Sequence, residues 1–543
     1  MTDTLPRIHA AEIRAALIEK REIALLDVRE EDPHANGHPL FAAHLSLSRL
    51  ELSAYEKLPR RDVPIVTIDD DGAIGGYAER AAKKLVELGY TQVAILAGGI
   101  YGAGGWRESG GEIFRDVNAP SKAFGELVDT TLHTPSLAAE EVLALIDAKA
   151  DIVVLDVRRF DEYQTMSIPG GINVPGAELA LRTPELAPDP KTRVIVNCAG
   201  RTRSIIGTQS LVNFGLPNPV AALRNGTIGW TLAGLTLEHG QTRRFLEPVS
   251  EAARQHSAQK AEALARRAGV EPASKADIQR WRAETNRTTY FIDVRDPMEY
   301  EAGHLPGFIG VPGGQLVQET EMTAPVRGAR FVLADTDGVR ANMTASWLRQ
   351  MDWEVHVHTA APAALTETGL WQPPRPPLPD VPQIDPATLN AWLHSPEPPV
   401  VLDFAASSQY RRGHIPGARF VLRSDLAKAL VRAIPRSRRY VLTSRTGLLA
   451  RFAHVDLAAL LLESAAEIVT LAGGTLAWGL ALTTEENLAS PTIDRYRRPY
   501  EGTEASREAM QAYLDWEFGL VAQLERDGTH HFRVLEAARD EGR

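Results

Sequence analysis

Val194-Ile195-Val196-Asn197-Cys198-Ala199-Gly200-Arg201-Thr202-Arg203-Ser204 passes from an apolar, β-branched run into a small loop and then into a helix-like stretch. A short apolar run bounded by a turn reads as a buried strand, and a loop after such a strand lies at the end of a sheet. In an open parallel sheet, ligands bind beyond the carboxyl ends of the strands. Backbone N–H groups converging in a tight loop, with a helix N-terminus behind them, favour an anion there. A thiol in that place is expected to be acidified by the same donors and by Arg201 and Arg203, and to alkylate readily near neutral pH. Cys198 is the chain's one cysteine, so no intramolecular disulfide or cysteine-rich zinc cluster can form, and sulfur chemistry has a single candidate.

Working outward, the strand before this loop has a counterpart ending in Asp-Val-Arg: Leu155-Asp156-Val157-Arg158. The same pair of strands recurs three more times. Leu26-Asp27-Val28-Arg29 precedes Ile65–Ile68 and Asp69, and Ile292-Asp293-Val294-Arg295 precedes Phe331–Ala334 and Asp335. Leu402-Asp403-Phe404-Ala405, which has lost the arginine, precedes Tyr440–Thr443 and Ser444. Asp27 to Asp69, Asp156 to Cys198 and Asp293 to Asp335 each span 42 residues, and Asp403 to Ser444 spans 41. A glycine turn before tryptophan closes three copies: Gly98-Gly99 with Trp106, Gly226 with Trp230, and Gly473-Gly474 with Trp478; copy three has Ala360-Ala361-Pro362. These tryptophans read as core residues.

Successive Asp positions are 129, 137 and 110 residues apart, much longer than a solenoid repeat of roughly 20 to 50 residues, so each unit is a whole domain. Short β-branched runs alternate with helical patterns such as Ala78–Leu88 and Thr344–Met351, predicting an α/β fold: four tandem domains, each a parallel sheet flanked by helices. Asp385-Pro386 and Ser274 with Asp277 read as helix starts, and 373–386 as a Pro-rich linker. The expected boundaries are 1–125, 130–250, 270–372 and 380–490, followed by a helical C-terminal extension over 491–543, helical around Ala505 to Arg526.

Composition fits this organisation. The 543 residues exceed what one core holds, and 44% hydrophobic with 24% charged residues is ordinary for globular domains. A net charge of -11 argues against nucleic acid or an anionic membrane as main partner. The apolar stretch Leu457–Leu471 is interrupted by Glu463 and Glu467, reading as a buried helix running into a strand. Met1–Ala16 lacks a secretory pattern, so the expected location is the cytoplasm, where a lone thiol stays reduced.

The Asp-Val-Arg strand end, the cysteine loop and the Gly-Trp closure resemble the rhodanese superfamily over nearly the whole chain to about residue 490. So does the Gly-His-Ile-Pro-Gly element, present as Gly303-His304-Leu305-Pro306-Gly307 and Gly413-His414-Ile415-Pro416-Gly417. It shrinks to Gly37-His38-Pro39 in copy one and becomes Met166-Ser167-Ile168-Pro169-Gly170 in copy two, which removes the histidine. The resemblance implies a thiosulfate sulfurtransferase in which Cys198 takes sulfur from thiosulfate as a persulfide and passes it to cyanide or a thiol. It implies that Arg203 binds the sulfonate, that Arg201 adds field, and that the amides of Ala199, Gly200, Arg201, Thr202, Arg203 and Ser204 cradle the sulfur. Asp156 and Arg158 are structural support. No metal or cofactor is implied, and the three inactive copies leave room for assembly into a homo-oligomer.

Three other readings stay open. Asp69-Asp70-Asp71-Gly72 and Asp335-Thr336-Asp337-Gly338 resemble the Asp-x-Asp nucleophile of haloacid-dehalogenase-like phosphatases, although their register with Cys198 makes degenerate loops the simpler account. Phosphatases similar to rhodaneses place five residues between cysteine and arginine, against four here, while mercaptopyruvate sulfurtransferases carry a less basic loop than this one. A non-enzymatic scaffold of four binding domains is the third.

Overall fold

The computed structural model describes residues 5–245, 248–502 and 505–536. It divides into two units. One holds Leu25–Val117 with Pro373–Arg497, which are copies one and four; the other holds Asn118–Gln372, copies two and three, with the segment from Arg498 onward.

The four copies share one topology. In copy two the strands lie side by side in the order Ser136–Leu137, Val220–Leu223, Arg193–Asn197, Ile152–Asp156 and Ile172–Asn173, all parallel. Copy three repeats the order with Glu271–Pro272, Glu354–Thr359, Arg330–Asp335, Thr289–Asp293 and Ile309–Gly310. Copy four does so with Gln383–Ile384, Glu467–Leu471, Arg439–Thr443, Val400–Asp403 and Arg419–Phe420. In copy one Arg7–Ile8, Val93–Leu96, Ile65–Ile68, Ile23–Asp27 and Ala43–His44 follow in parallel. The two central strands carry near-continuous apolar runs because helices cover both sheet faces. In copy two one face packs Leu155, Val194, Val196 and Leu211, and the other Val154, Ile195, Leu223 and Trp230. Trp106, Trp230 and Trp478 are buried. Trp230 satisfies its ring N–H by donating to the Thr236 carbonyl at 2.9 Å.

The Asp-x-Arg turn has a plain geometric purpose. Arg158 forks onto Asp156 through Nε and Nη2 at 2.9 and 2.7 Å, and Nη2 also reaches the Met166 carbonyl at 2.5 Å. Arg29 and Arg295 do the same with Asp27 and Asp293, ending on the carbonyls of Gly37 and Gly303. The buried pair thereby ties the strand end to the segment before the next Pro-Gly turn. Copy four, without the arginine, keeps the Ala405 amide on Asp403, and burial pushes that carboxyl up to about 6.

Local expectations meet the structure closely. Ser274 and Asp277 form a capping box, and Asp385 caps the helix Pro386–Leu393. Leu448–Leu460 is a helix leading to the strand Glu467–Leu471, and the C-terminal extension forms the helices Arg507–Phe518 and Leu520–Asp527. Among the described residues no helix is long and apolar enough to cross a membrane.

Candidate active site

Cys198 stands where the strand Arg193–Asn197 gives way to the helix Thr202–Phe214. Its thiol donates to Ser204 Oγ at 3.4 Å, while the Ser204 hydroxyl donates to the Arg201 carbonyl at 2.8 Å. The Ser204 amide and the Arg203 and Arg158 guanidinium groups favour the thiolate. Burial outweighs them. The side chain is almost fully enclosed beside Leu155, Val157 and Val196, and the thiol's pKa is pushed up from its ordinary value, chiefly by desolvation. The expected acidic, readily alkylated thiol is therefore corrected: two nearby charges do not compensate for removal from water. Cys198 is expected to react slowly with iodoacetamide at pH 7 and to speed up about tenfold per pH unit through pH 9. A rate already level by pH 8 would restore the acidic thiol.

Position 198 has counterparts that explain its surroundings. Asp335 occupies it in copy three, its carboxylate accepting from the amides of Gly338 at 3.0 Å and Ala341 at 2.9 Å. Ser444 occupies it in copy four, with the Ala450 amide 3.3 Å from its oxygen. Ala341, Ala450 and Ser204 all lie six residues beyond the key position, so in these three copies an amide in the first turn of the following helix points at the side chain. In copy one the loop is longer, and Asp69 takes the amides of Gly72 and Ala78, both at 2.8 Å. The aspartates thus set a carboxyl where a thiolate would sit, with both oxygens committed to amides of the loop and of the helix behind it, and burial pushes both carboxyls above their ordinary value.

The two loop arginines part company. Arg203 lies partly buried near the sulfur and pairs with Glu162 through two bonds of 2.9 and 2.8 Å. Arg201 turns the other way, onto Glu126 at 2.7 and 2.9 Å, Asp129 at 2.8 Å and the face of Phe518 at 4.3 Å. The expectation that Arg201 adds field at the sulfur gives way to a clamp between the loop and the helix Ala119–Leu132. Thr202 packs against Gly125 of that same helix. The Ala199 carbonyl accepts from the Ile228 amide at 3.0 Å. Asn197 Nδ2 donates to Asp156 at 2.9 Å, joining the Asp-x-Arg pair to the loop strand.

Glu162 escaped the sequence reading although a signal existed. It lies six residues after Asp156, as Glu299 does after Asp293, and Arg340 holds Glu299 as Arg203 holds Glu162. The C-terminal extension was expected as helix, but its place against the cysteine loop was missed, because it has no counterpart among the copies. A Cβ on Gly200 would stand 3.2 Å from the Tyr513 ring and 3.7 Å from Glu517 Oε2, so the helix Arg507–Phe518 lies directly against the cysteine loop. Lys122 anchors it, with Nζ 5.3, 5.0 and 5.6 Å from the ring centres of Tyr500, Tyr513 and Trp516. Tyr513 donates to Glu517 Oε1 at 2.6 Å, and burial raises the Glu517 carboxyl to about 7.

With this geometry in hand, relatives place the chain. The rhodanese-like domain model matches residues 10–104, 138–233, 274–360 and 385–481, and the chain belongs to that family. The crystal structure of a thiosulfate sulfurtransferase from Pseudomonas aeruginosa is similar at 61% identity, with a TM-score of 0.94, covering 98% of this chain and all of that one. The thiosulfate sulfurtransferase GlpE of Coxiella burnetii (strain RSA 331) is 31% identical over 83 residues, 15% of this chain and 73% of its own. An HTH-type transcriptional regulator of Mycobacterium tuberculosis, Rv0324, is 34% identical over 90 residues, which are 17% of this chain and 39% of the regulator's length.

Proposed function

We propose that the chain is a sulfurtransferase that carries the outer sulfur of thiosulfate to cyanide or a thiol as a persulfide on Cys198. The observation that carries this reading is the one thiol, held against the Ser204 amide and hydroxyl with Arg203 and Arg158 nearby, at a position where the other three copies bear an aspartate or serine. The full-length likeness to a thiosulfate sulfurtransferase supports it. Catalysis is assigned to 130–250, with 1–125, 270–372 and 380–490 as inactive copies and the cytoplasm as the reducing compartment that keeps the thiol ready.

In the first half-reaction the Cys198 thiolate attacks the outer sulfur of thiosulfate. A new S–S bond forms, the bond to the sulfonate sulfur breaks, and its electron pair leaves with sulfite. A dianionic donor and anionic leaving group call for fixed positive charge. Arg203 is the residue placed to supply it, with Ser204 steadying the sulfur. The loop of four residues between Cys198 and Arg203 suits a single sulfur atom.

Incubating the protein with thiosulfate and measuring intact mass tests the reading: a gain of one sulfur, mapped to Cys198 and released as thiocyanate by cyanide, is expected. An unchanged mass would remove it. Charge-neutral double variants then separate the arginines without stranding a buried carboxylate. Arg203→Met with Glu162→Gln is expected to lower kcat/KM for thiosulfate about thirtyfold, the equivalent of roughly 2 kcal/mol for a charge-assisted contact. Arg201→Met with Glu126→Gln should change it less than about threefold, and equal losses would return Arg201 to the site.

A further inference from the structure

Cys198 is 1% exposed, and no sulfur donor or acceptor can line up with a thiol so enclosed until something moves. Among the described residues its surroundings are of three kinds. Leu155, Val157 and Val196 press from the sheet and belong to the core of the domain. The loop itself is pinned: the Thr227 amide donates to the Cys198 carbonyl and the Ile228 amide to the Ala199 carbonyl, both at 3.0 Å, while Glu126 and Asp129 hold Arg201. The third is the helix Arg507–Phe518, which belongs to none of the four copies. Its Tyr513 ring lies on Gly200, its Phe518 ring lies 4.3 Å from the Arg201 guanidinium, and Met510, Tyr513 and Leu514 pack on Ile228. Gly200 does not take the left-handed backbone that calls for glycine, so its missing side chain serves this close approach.

This helix is fastened less firmly than what it covers. Its first residue, Arg507, is exposed and donates to the carbonyls of Thr231 and Leu232 at 3.0 and 2.5 Å, and its last, Phe518, is 56% exposed. Its buried face carries the Glu517 carboxyl, of which Oε1 accepts from Tyr513 and Oε2 has no hydrogen-bond partner among the described residues, a burden on the docked state. Beyond Gly519 the chain is anchored separately. Leu520 and Leu524 are buried, Arg14 donates to the Asp527 carbonyl at 2.6 Å, and the Leu535 amide donates to Gln350 at 2.7 Å. The first helix can therefore lift about Gly519 while the second stays in place.

Resting on the sulfurtransferase reading above, we infer that the helix Arg507–Phe518 is a gate over Cys198, and that sulfur is taken up and handed on only while this helix is lifted from the loop. Closed, the gate keeps the persulfide from water and stray thiols between the two half-reactions. Open, it lets cyanide in: the cyanide carbon bonds the outer sulfur, the bond from that sulfur to Cys198 breaks, and its electron pair stays on Cys198 as the thiolate. No electrons are gained or lost overall.

The test compares lifting with access in the full-length protein. Lifting is read from hydrogen exchange of the amides in Arg507–Phe518, because a lifted helix of 12 residues is marginal in water. Access is read from the rate at which iodoacetamide alkylates Cys198 and, after loading with thiosulfate, from the rate at which cyanide discharges the sulfur. Arg507→Ala with Phe518→Ala removes contacts at both ends of the helix and is expected to raise all three rates about tenfold. Gly519→Ala fits the right-handed backbone there, φ −79° and ψ −11°, stiffens the joint, and is expected to lower all three about threefold. The pH of half-maximal alkylation should stay unchanged in both variants, since a gate alters access and leaves the thiol's acidity alone. Alkylation and discharge that stay at the wild-type rate while helix exchange moves would overturn the inference, as would helix exchange that neither variant moves. A protein that gains no sulfur from thiosulfate, yet alkylates in step with the helix, would remove the sulfurtransferase reading and keep the gate.

Discussion

Cys198→Ser is expected to abolish persulfide formation and to lower thiosulfate-dependent turnover by roughly 10⁴-fold or more, while the protein stays folded. The chemical half follows from the step: an alkoxide at this site is neither accessible in pH nor able to expel sulfite through a stable persulfide analogue. The structural half has a precedent inside the molecule. Ser444 stands at the same position of copy four, buried, with the Ala450 amide on its oxygen, in a sheet of the same order. The Ser204 amide offers residue 198 the same partner. The stability cost should therefore stay within about 2 kcal/mol, the range for a buried group that retains its hydrogen bond. Thermal unfolding alongside intact mass after thiosulfate checks both halves. Residual turnover above background would place the nucleophile elsewhere, and a collapsed melting curve would mean that position 198 is held by the sulfur rather than by the loop.

What could be read from the sequence follows the distance over which each feature is determined. The sheet order, the 42-residue ruler and the place of Cys198 depend on local strand and loop patterns repeated four times, so each copy vouches for the others. The same comparison could have yielded Glu162, since Glu299 repeats its spacing and Arg340 repeats its partner. The fate of Arg201 could not be read that way. Its partners Glu126 and Asp129 stand on a helix ahead of the copy, 75 and 72 residues away, where no repeated spacing marks them. The thiol's acidity was misjudged for a related reason. The charge of Arg203 is legible beside Cys198 in the sequence, whereas much of the enclosure, from Leu155, Val157, Val174 and Leu179, comes from residues about 20 to 40 positions away. The segment beyond residue 498 shares no pattern with the copies, and only tertiary structure shows it against Gly200.

That segment should respond to pH through Glu517, with a change of about a hundredfold in how often its helix opens. Its carboxyl is fully buried, accepts one bond from Tyr513, and has Oε2 without a hydrogen-bond partner among the described residues. Burial raises the group from 4.5 to about 7, with Glu126 reinforcing the shift and Lys122, Tyr513 and Arg201 opposing it. When the helix lifts into water the carboxyl reverts to its ordinary value. Below pH 4.5 it is protonated whether docked or lifted, and docking keeps its full stability. Between 4.5 and about 7 the lifted state ionises first, so docking weakens with each pH unit. Above 7 both states are ionised and the loss levels off at roughly 3 kcal/mol. Hydrogen exchange of the amides in Arg507–Phe518, corrected for intrinsic rates, should show protection falling about a hundredfold from pH 4.5 to 8 in the wild type. In Glu517→Gln, which keeps the shape and cannot ionise, protection should be flat over the same range. Equal slopes in the two proteins would assign the pH response to another group. A flat wild type would mean that Lys122 and Arg201 already hold the carboxylate charged, leaving the cover over the cysteine loop indifferent to pH.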